Sequence, residues 1–417
     1  MHPAAQSSLD LIDRRDLVDI GTKLVTFPSF KGDETPLARF LAEWLGQRGY
    51  GVELDEVEPG RLQVIATLKG SGGGKSLMLN GHLDINSLPR GWNRDPWTAW
   101  VEGDRLHGHG IQNMKGGLAS LIVAAEAVRK SGARLEGDLV LAFVVGETQG
   151  GEGMHHLMKR GFRTDAALIT EPFGSGNIAT VHGGIVHFAI HTIGRTGHMS
   201  RLEGTVHAIH KMMKVIEALG KVRFTCEARP DLPDLPRLNV GSIIGGRGET
   251  YILHDAPYIP DLCTIIVDVH FLPGQTVNTI IADVRRELDT LREADPQLLY
   301  EIEIPPPDYF KGRRRLVMPP VDVPVDSLIV RSVAQSYETV TGRPPRKIGA
   351  ILPTAYSACD TSWLWNAGIP CINYGPAATY DAAGPEETYV AISEMEECAK
   401  ILALTAFDIC MRERLGA

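Results

Sequence analysis

The sequence has no apolar run of the roughly 18 residues needed to span a bilayer. Its opening, Met1 to Asp10, lacks the basic start and apolar stretch of a secretory signal. It also lacks an excess of positive charge: 42 Lys and Arg against 51 Asp and Glu leave a net charge of −9. That balance argues against a nucleic-acid footprint or an anionic-membrane surface, so neither partner is expected. The six cysteines (Cys226, Cys263, Cys359, Cys371, Cys398 and Cys410) include no Cys-x-x-Cys pair. In a chain this long they read as buried thiols, not as a disulfide or zinc framework. No internal repeat or low-complexity tract is present. These absences leave a cytoplasmic globular protein, with a small molecule as its expected partner.

What is present is length and alternation. At 417 residues the chain exceeds one ordinary core, which predicts two domains. Apolar residues at helical spacing (Leu9, Ile12, Leu17, Ile20, Leu24) predict one helix from about Ser8 to Val25, and a second runs from about Thr35 to Gly49. Strands follow over Gly51 to Leu54, Leu62 to Leu68 and Ser76 to Asn80. A helix then follows Asn113 as far as about Lys130. Leu139 to Gly146 is almost wholly apolar, as in a strand covered on both faces. Another helix from about Met154 leads to a strand over Ala166 to Ile169. Alternating strands and helices predict an α/β fold, a layered αβα domain with a mainly parallel sheet. His82, Glu147 and Glu171 all fall just past predicted strand ends, where such sheets bind ligands.

The character changes near Gly183. Val186, Phe188 and Ile190 alternate with His187, Ala189 and His191, as in a half-exposed strand. A helix, two strands, a helix and a strand complete the segment, the order of an inserted α+β, ferredoxin-like sandwich. Pro305-Pro306-Pro307 and the basic run Lys311 to Arg315 read as the return linker. The expected division is therefore 1–182 with 308–417 as one domain and 183–307 as the insert.

The most informative stretch is Asn80-Gly81-His82-Leu83-Asp84, followed by a loop with Trp92, Asp95, Pro96 and Trp97, then Gly108-His109-Gly110 and Met114-Lys115-Gly116-Gly117. His82 and Asp84 leave a buried strand two residues apart and so point to the same side. A carboxylate behind a His is the usual way to fix a metal-binding imidazole, although a solvated strand end would show the same spacing.

The whole pattern resembles the M20 metallopeptidase family, over roughly residues 10 to 410. That resemblance implies a catalytic domain with an inserted domain that mediates dimerisation, so a homodimer or higher homo-oligomer is expected. It also implies two metal ions sharing a bridging carboxylate, with a neighbouring Glu as general base. On that pattern His82 is the strand-end ligand, Asp84 its catalytic orienting carboxylate, Glu147 the base and Glu171 a further ligand. His198, in Gly197-His198-Met199-Ser200, matches the insert-domain His that steadies an oxyanion in the partner's site.

The match is broken in an orderly way. The bridging Asp is Asn113, Thr148 stands where a ligand Glu belongs, and Ala382-Ala383-Gly384-Pro385 has no His. Thr148 and the missing His belong to one ion; His82 and Glu171 belong to the other. The expectation is one divalent transition metal per subunit (Mn, Zn or Co), held by His82, Glu171 and weakly by the Asn113 carbonyl, with Asp381 as a further candidate. Thr148 then becomes a substrate contact. His107 and His109 read as solvated loop residues, with pocket lining as the alternative, and Trp92 and Trp97 as packing or an aromatic pocket. Cys359-Asp360, given no role, resembles a structural turn near the family's site. The implied activity is hydrolysis of a C–N bond in a small acidic substrate. The stripped site points towards an electron-poor aryl amine that releases ammonia, and 5-nitroanthranilate is the substrate that the family resemblance suggests. The alternatives are N-acyl amino acid hydrolysis of the ordinary M20 kind and a non-catalytic binder of small molecules.

Overall fold

A computed structural model describes residues 3–252, 254–306, 317–376 and 388–414. The chain divides into two compact units: 1–181 with 321–355 and 359–417, and 182–320 with 356–358.

The first unit is built on a mixed sheet. In spatial order it runs Gly51–Glu58, Arg61–Leu68, Leu139–Val144, Leu77–His82, Ala166–Ile169, Cys371–Asn373, Asn177–His182 and Val321–Asp322, with Lys347–Ala350 also pairing with Asn177–His182. Leu139–Val144, Leu77–His82, Ala166–Ile169 and Cys371–Asn373 are mutually parallel, and the hairpin Gly51–Glu58/Arg61–Leu68 is antiparallel. Every residue of Leu77–His82, Leu139–Val144 and Ala166–Ile169 is buried. Both faces of these central strands are therefore covered, which explains their largely apolar sequences. The helix Gly116–Lys130 is buried on nearly all sides and packs against Ile392–Cys410. Its one acid, Glu126, is neutralised by Arg129 through two hydrogen bonds of 2.8 Å.

One expected helix is two. Pro3–Leu9 ends before Asp13, which caps a new helix, Arg14–Val25, by accepting from the Arg15 N–H at 2.8 Å. The apolar spacing crosses this break because both helices bury the same stripe, while the Asp13 side chain offers the local donors a better acceptor than a continuing turn. Five of the six cysteines are buried as expected; Cys226 is exposed.

The second unit has an antiparallel sheet ordered Arg237–Gly246, Leu262–Phe271, Gly184–Ile193, Leu299–Glu303, with helices Ala208–Leu219 and Val277–Ala294. Strand–helix–strand–strand–helix–strand in this order is the ferredoxin-like arrangement. Val186, Phe188 and Ile190 enter its core together with Cys263, Ile265 and Val267. The chain leaves this unit at 320, later than 308, because Met318 and Ile185 exchange backbone hydrogen bonds of 2.9 and 3.0 Å. The expected basic linker, Lys311 to Arg315, lies outside the described residues. Among the described residues no helix is long and apolar enough to cross a membrane.

Candidate metal centre

Three parallel strands deliver the site. His82 is the last residue of Leu77–His82, Glu147 follows Leu139–Val144, and Glu171 follows Ala166–Ile169. Their ligand atoms lie within 4.8 Å of one another, and all three side chains are buried. His82 Nε2 is 3.5 Å from Glu171 Oε1 and 3.9 Å from Glu147 Oε2. Asn113 joins them from the loop before Gly116, its Oδ1 2.8 Å from the same nitrogen.

Main-chain contacts fix the strand end that carries Glu171. A Cβ at Gly117 would fall 2.2 Å from the Thr170 carbonyl oxygen, and one at Gly375 would fall 2.3 Å from the same atom. Such distances are far inside van der Waals contact, so glycine at both positions lets a helix start and a strand exit close on Thr170.

The role of Asp84 differs from the expected one. His82 Nδ1 donates to the Asp84 backbone carbonyl at 2.8 Å, whereas the carboxylate stands 3.6 Å away. The carboxylate instead accepts from the N–H groups of Glu147 (3.0 Å) and Thr148 (3.1 Å) and from the Thr148 hydroxyl. Asp84 is thus a positioning residue that clamps the Glu147 turn. The Thr148 hydroxyl, expected to meet substrate, spends its proton on that clamp.

The electrostatics are lopsided. Burial alone would lower the His82 pKa, but Asp84, Glu171, Glu147 and Asp360 raise it to about 10. Burial, then the charge of Glu171, holds the Glu147 carboxyl well above its usual range, and burial raises Glu171 also. Lys115, in the Met-Lys-Gly-Gly turn, supplies no counter-charge here. Its Nζ donates to the Phe27 carbonyl at 2.6 Å, and burial lowers its pKa to about 7. Buried carboxylates crowded in this way call for a cation. The donor set fits one: His82 Nε2 faces the carboxylates while Nδ1 is anchored by a carbonyl, the usual preparation of a ligating imidazole. Glu171 Oε1 is buried without a hydrogen-bond donor.

Other expectations fare differently. His198 is exposed, lies in the second unit, stacks edge-on against Tyr258 at 5.2 Å and bonds Ser200 Oγ through Nδ1 at 2.8 Å. Asp381 and Ala382-Ala383-Gly384-Pro385 lie outside the described residues. His107 and His109 are buried, contrary to a solvated loop. Ring packing accounts for this: His107 stacks on Trp100 at 4.8 Å, and His109 sits edge-on to Trp92 and Trp97 at 5.8 and 5.4 Å. Asp360, read from sequence as part of a turn, is wholly buried and acts electrostatically on His82. Nothing in the Cys-Asp-Thr-Ser string distinguishes it from a helix cap.

The sequence pattern of Peptidase family M20/M25/M40 matches residues 78–408. The chain is 27% identical, over 96% of both sequences, to an N-formyl-4-amino-5-aminomethyl-2-methylpyrimidine deformylase of Bacillus subtilis (strain 168). It is 27% identical to an acetylornithine deacetylase of Salmonella arizonae, over 89% of this chain and 92% of that one. Among solved structures, the aminopeptidase PepT of Bacillus cereus ATCC 10987 superposes with a TM-score of 0.72 at 17% identity, over 96% of this chain and 99% of the other.

Proposed function

The chain belongs to Peptidase family M20/M25/M40 and is a metal-dependent hydrolase of C–N bonds, and from that premise we propose that it works with one divalent cation on a small acidic substrate. The observation that carries this reading is the convergence of His82, Glu147 and Glu171 while Thr148 is turned to Asp84. Thr148, at the position of a second-ion ligand, donates to Asp84 instead, and residues 377–387 lie outside the described residues. His82 and Glu171 would hold the cation, with the Asn113 carbonyl as a weak third ligand. Nitrogen and oxygen donors suit Mn²⁺, Zn²⁺ or Co²⁺. Such a cation, when bound, supplies Lewis acidity and lowers the pKa of a coordinated water.

The chain's own residues do the rest. Glu147 takes a proton from the attacking water and returns one to the departing nitrogen. Asp84 holds the Glu147 turn through its backbone N–H, and burial of the carboxylates keeps bulk water from competing. His198 would steady the developing oxyanion from a partner subunit in a homodimer. Monomeric sedimentation at assay concentrations would remove that role from the mechanism.

Two bond types are in contention, each with its own support. Relatives named as a deformylase and a deacetylase favour release of a short acyl group from an amide. The uncharged Asn113 and Thr148 at family ligand positions favour a substrate that is already electron-poor, such as 5-nitroanthranilate, which would give 5-nitrosalicylate and ammonia. The Phe30, Trp92, Trp97 and His109 rings beside the His82–Asp84 loop would suit a planar substrate. A panel of N-formyl, N-acetyl and nitroaryl amine substrates separates the two: carboxylic acid release supports the first, ammonia release the second. Elemental analysis of the same preparation should give one ion per chain. Two fully occupied ions, or no product from any substrate, would contradict the proposal.

A further inference from the structure

Asp360 stands at the start of the helix Thr361–Asn366, where an acidic residue ordinarily caps the first turn. It makes no such cap. Its side chain accepts nothing from the helix, it is 0% exposed, and neither carboxylate oxygen has a hydrogen-bond donor. Leaving one buried polar oxygen unpaired costs on the order of 1–3 kcal/mol, and more for a charged group. Two on one residue require an explanation in a bound water, an ion or a proton.

The surroundings narrow the choice. The charges of His82, Glu171 and Asp84 act on Asp360, and its Oδ1 lies against Gly151, four residues beyond Glu147. Its helix is tied to the turn that carries Glu147: Trp363 Nε1 donates to the Gly150 carbonyl at 2.9 Å. Gly151 closes the same junction, since a Cβ there would fall 2.9 Å from Asp360 Oδ1 and 2.5 Å from Trp363 Nε1. The backbone is therefore shaped to bring this carboxylate in without filling the space in front of it. Asn113 and Thr148 have meanwhile left the centre short of anionic ligands, since neither side chain carries charge.

We propose that Asp360, which stands outside the close cluster of His82, Glu147 and Glu171, serves the divalent cation through one bridging water and supplies negative charge that Asn113 and Thr148 do not. This rests on the one-cation reading above. Asp360 would balance the dication together with Glu171, leaving Glu147 free to act on water. The donorless oxygens of Asp360 then face that water, and that of Glu171 meets the cation itself.

The test is cation affinity, not turnover. Metal-free protein and its Asp360→Asn variant would be titrated with Co²⁺ and with Mn²⁺ in competition with a chromophoric chelator. Asn keeps the shape but removes the charge, so affinity should fall by at least about tenfold, the lower end of what is lost when supporting groups of a metal site are changed. The visible absorption of bound Co²⁺, which reports its ligand field, should change as well. Melting of the metal-free variant serves as the folding control, and it should match or exceed that of the metal-free parent because a buried charge has gone. If the variant fails to fold, Asp360→Glu keeps the charge, and Co²⁺ binding with an altered spectrum would support the water-bridged role. Unchanged affinity and an unchanged spectrum in a folded variant would overturn the proposal while leaving the one-cation reading intact. Failure of the parent chain to bind either ion would overturn both.

Discussion

Glu147→Gln should lower kcat by about 10²–10⁴-fold, the usual size of a general-base contribution, with the cation still bound. The substitution preserves shape and leaves the backbone N–H of residue 147 on Asp84 Oδ1, so the turn and its clamp persist. What is lost is a carboxylate able to accept a proton beside His82, and the neutral amide cannot replace it. Steady-state kinetics paired with elemental analysis on the same protein decides the matter. Full turnover at normal ion content would mean that another group moves the proton.

His82→Ala should be more damaging to the cation itself. His82 provides the one nitrogen donor of the candidate set, and its ring is held from behind by the Asp84 carbonyl. A Lewis acid contributes several kcal/mol of transition-state stabilisation. At 1.36 kcal/mol per factor of ten, about 4 kcal/mol corresponds to a rate loss of roughly 10³-fold. Dialysed variant protein should therefore retain little metal and turn over slowly, with partial recovery at high added Mn²⁺ or Zn²⁺. Parent-like ion content after dialysis would show that the carboxylates suffice and that His82 is not a principal ligand.

The strands were the readable part of this chain, and their ends pointed to the centre. Leu77 to Asn80, Leu139 to Gly146 and Ala166 to Ile169 are apolar because both faces are covered. His82, Glu147 and Glu171, each within two residues of such an end, are exceptional enough to mark where chemistry belongs. The second unit was legible for a similar reason, since Val186, Phe188 and Ile190 alternate with polar neighbours. Misreadings arose where a side chain has two uses. Asp13 falls inside the one helix expected from Ser8 to Val25 and is instead the cap that starts a new one. Asp84 has the spacing of a carboxylate behind a His, yet its carbonyl does that work while its carboxylate clamps the Glu147 turn. Asp360 has the position of a cap and makes none. A sequence gives spacing, whereas which acceptor a donor finds depends on the folded chain: the Glu147 N–H finds Asp84 from 63 positions away. His107 and His109 were misplaced for the same reason: polar residues in a Gly-rich loop read as wet until the tryptophans that cover them are located.

The close approach of Gly117 and Gly375 to the Thr170 carbonyl bears on how such a protein can diversify. It makes the location of Glu171 a property of bare backbone, indifferent to the identity of neighbouring side chains. The ring-bearing loop around Trp92 and Trp97 is partly open to solvent. On the proposed reading of that loop as a substrate rim, mutation there would rework which molecule is admitted without disturbing the anchorage beneath. Selection for new substrates should accumulate its changes in that rim, and screening libraries aimed there should keep more folded members than libraries aimed at the glycines.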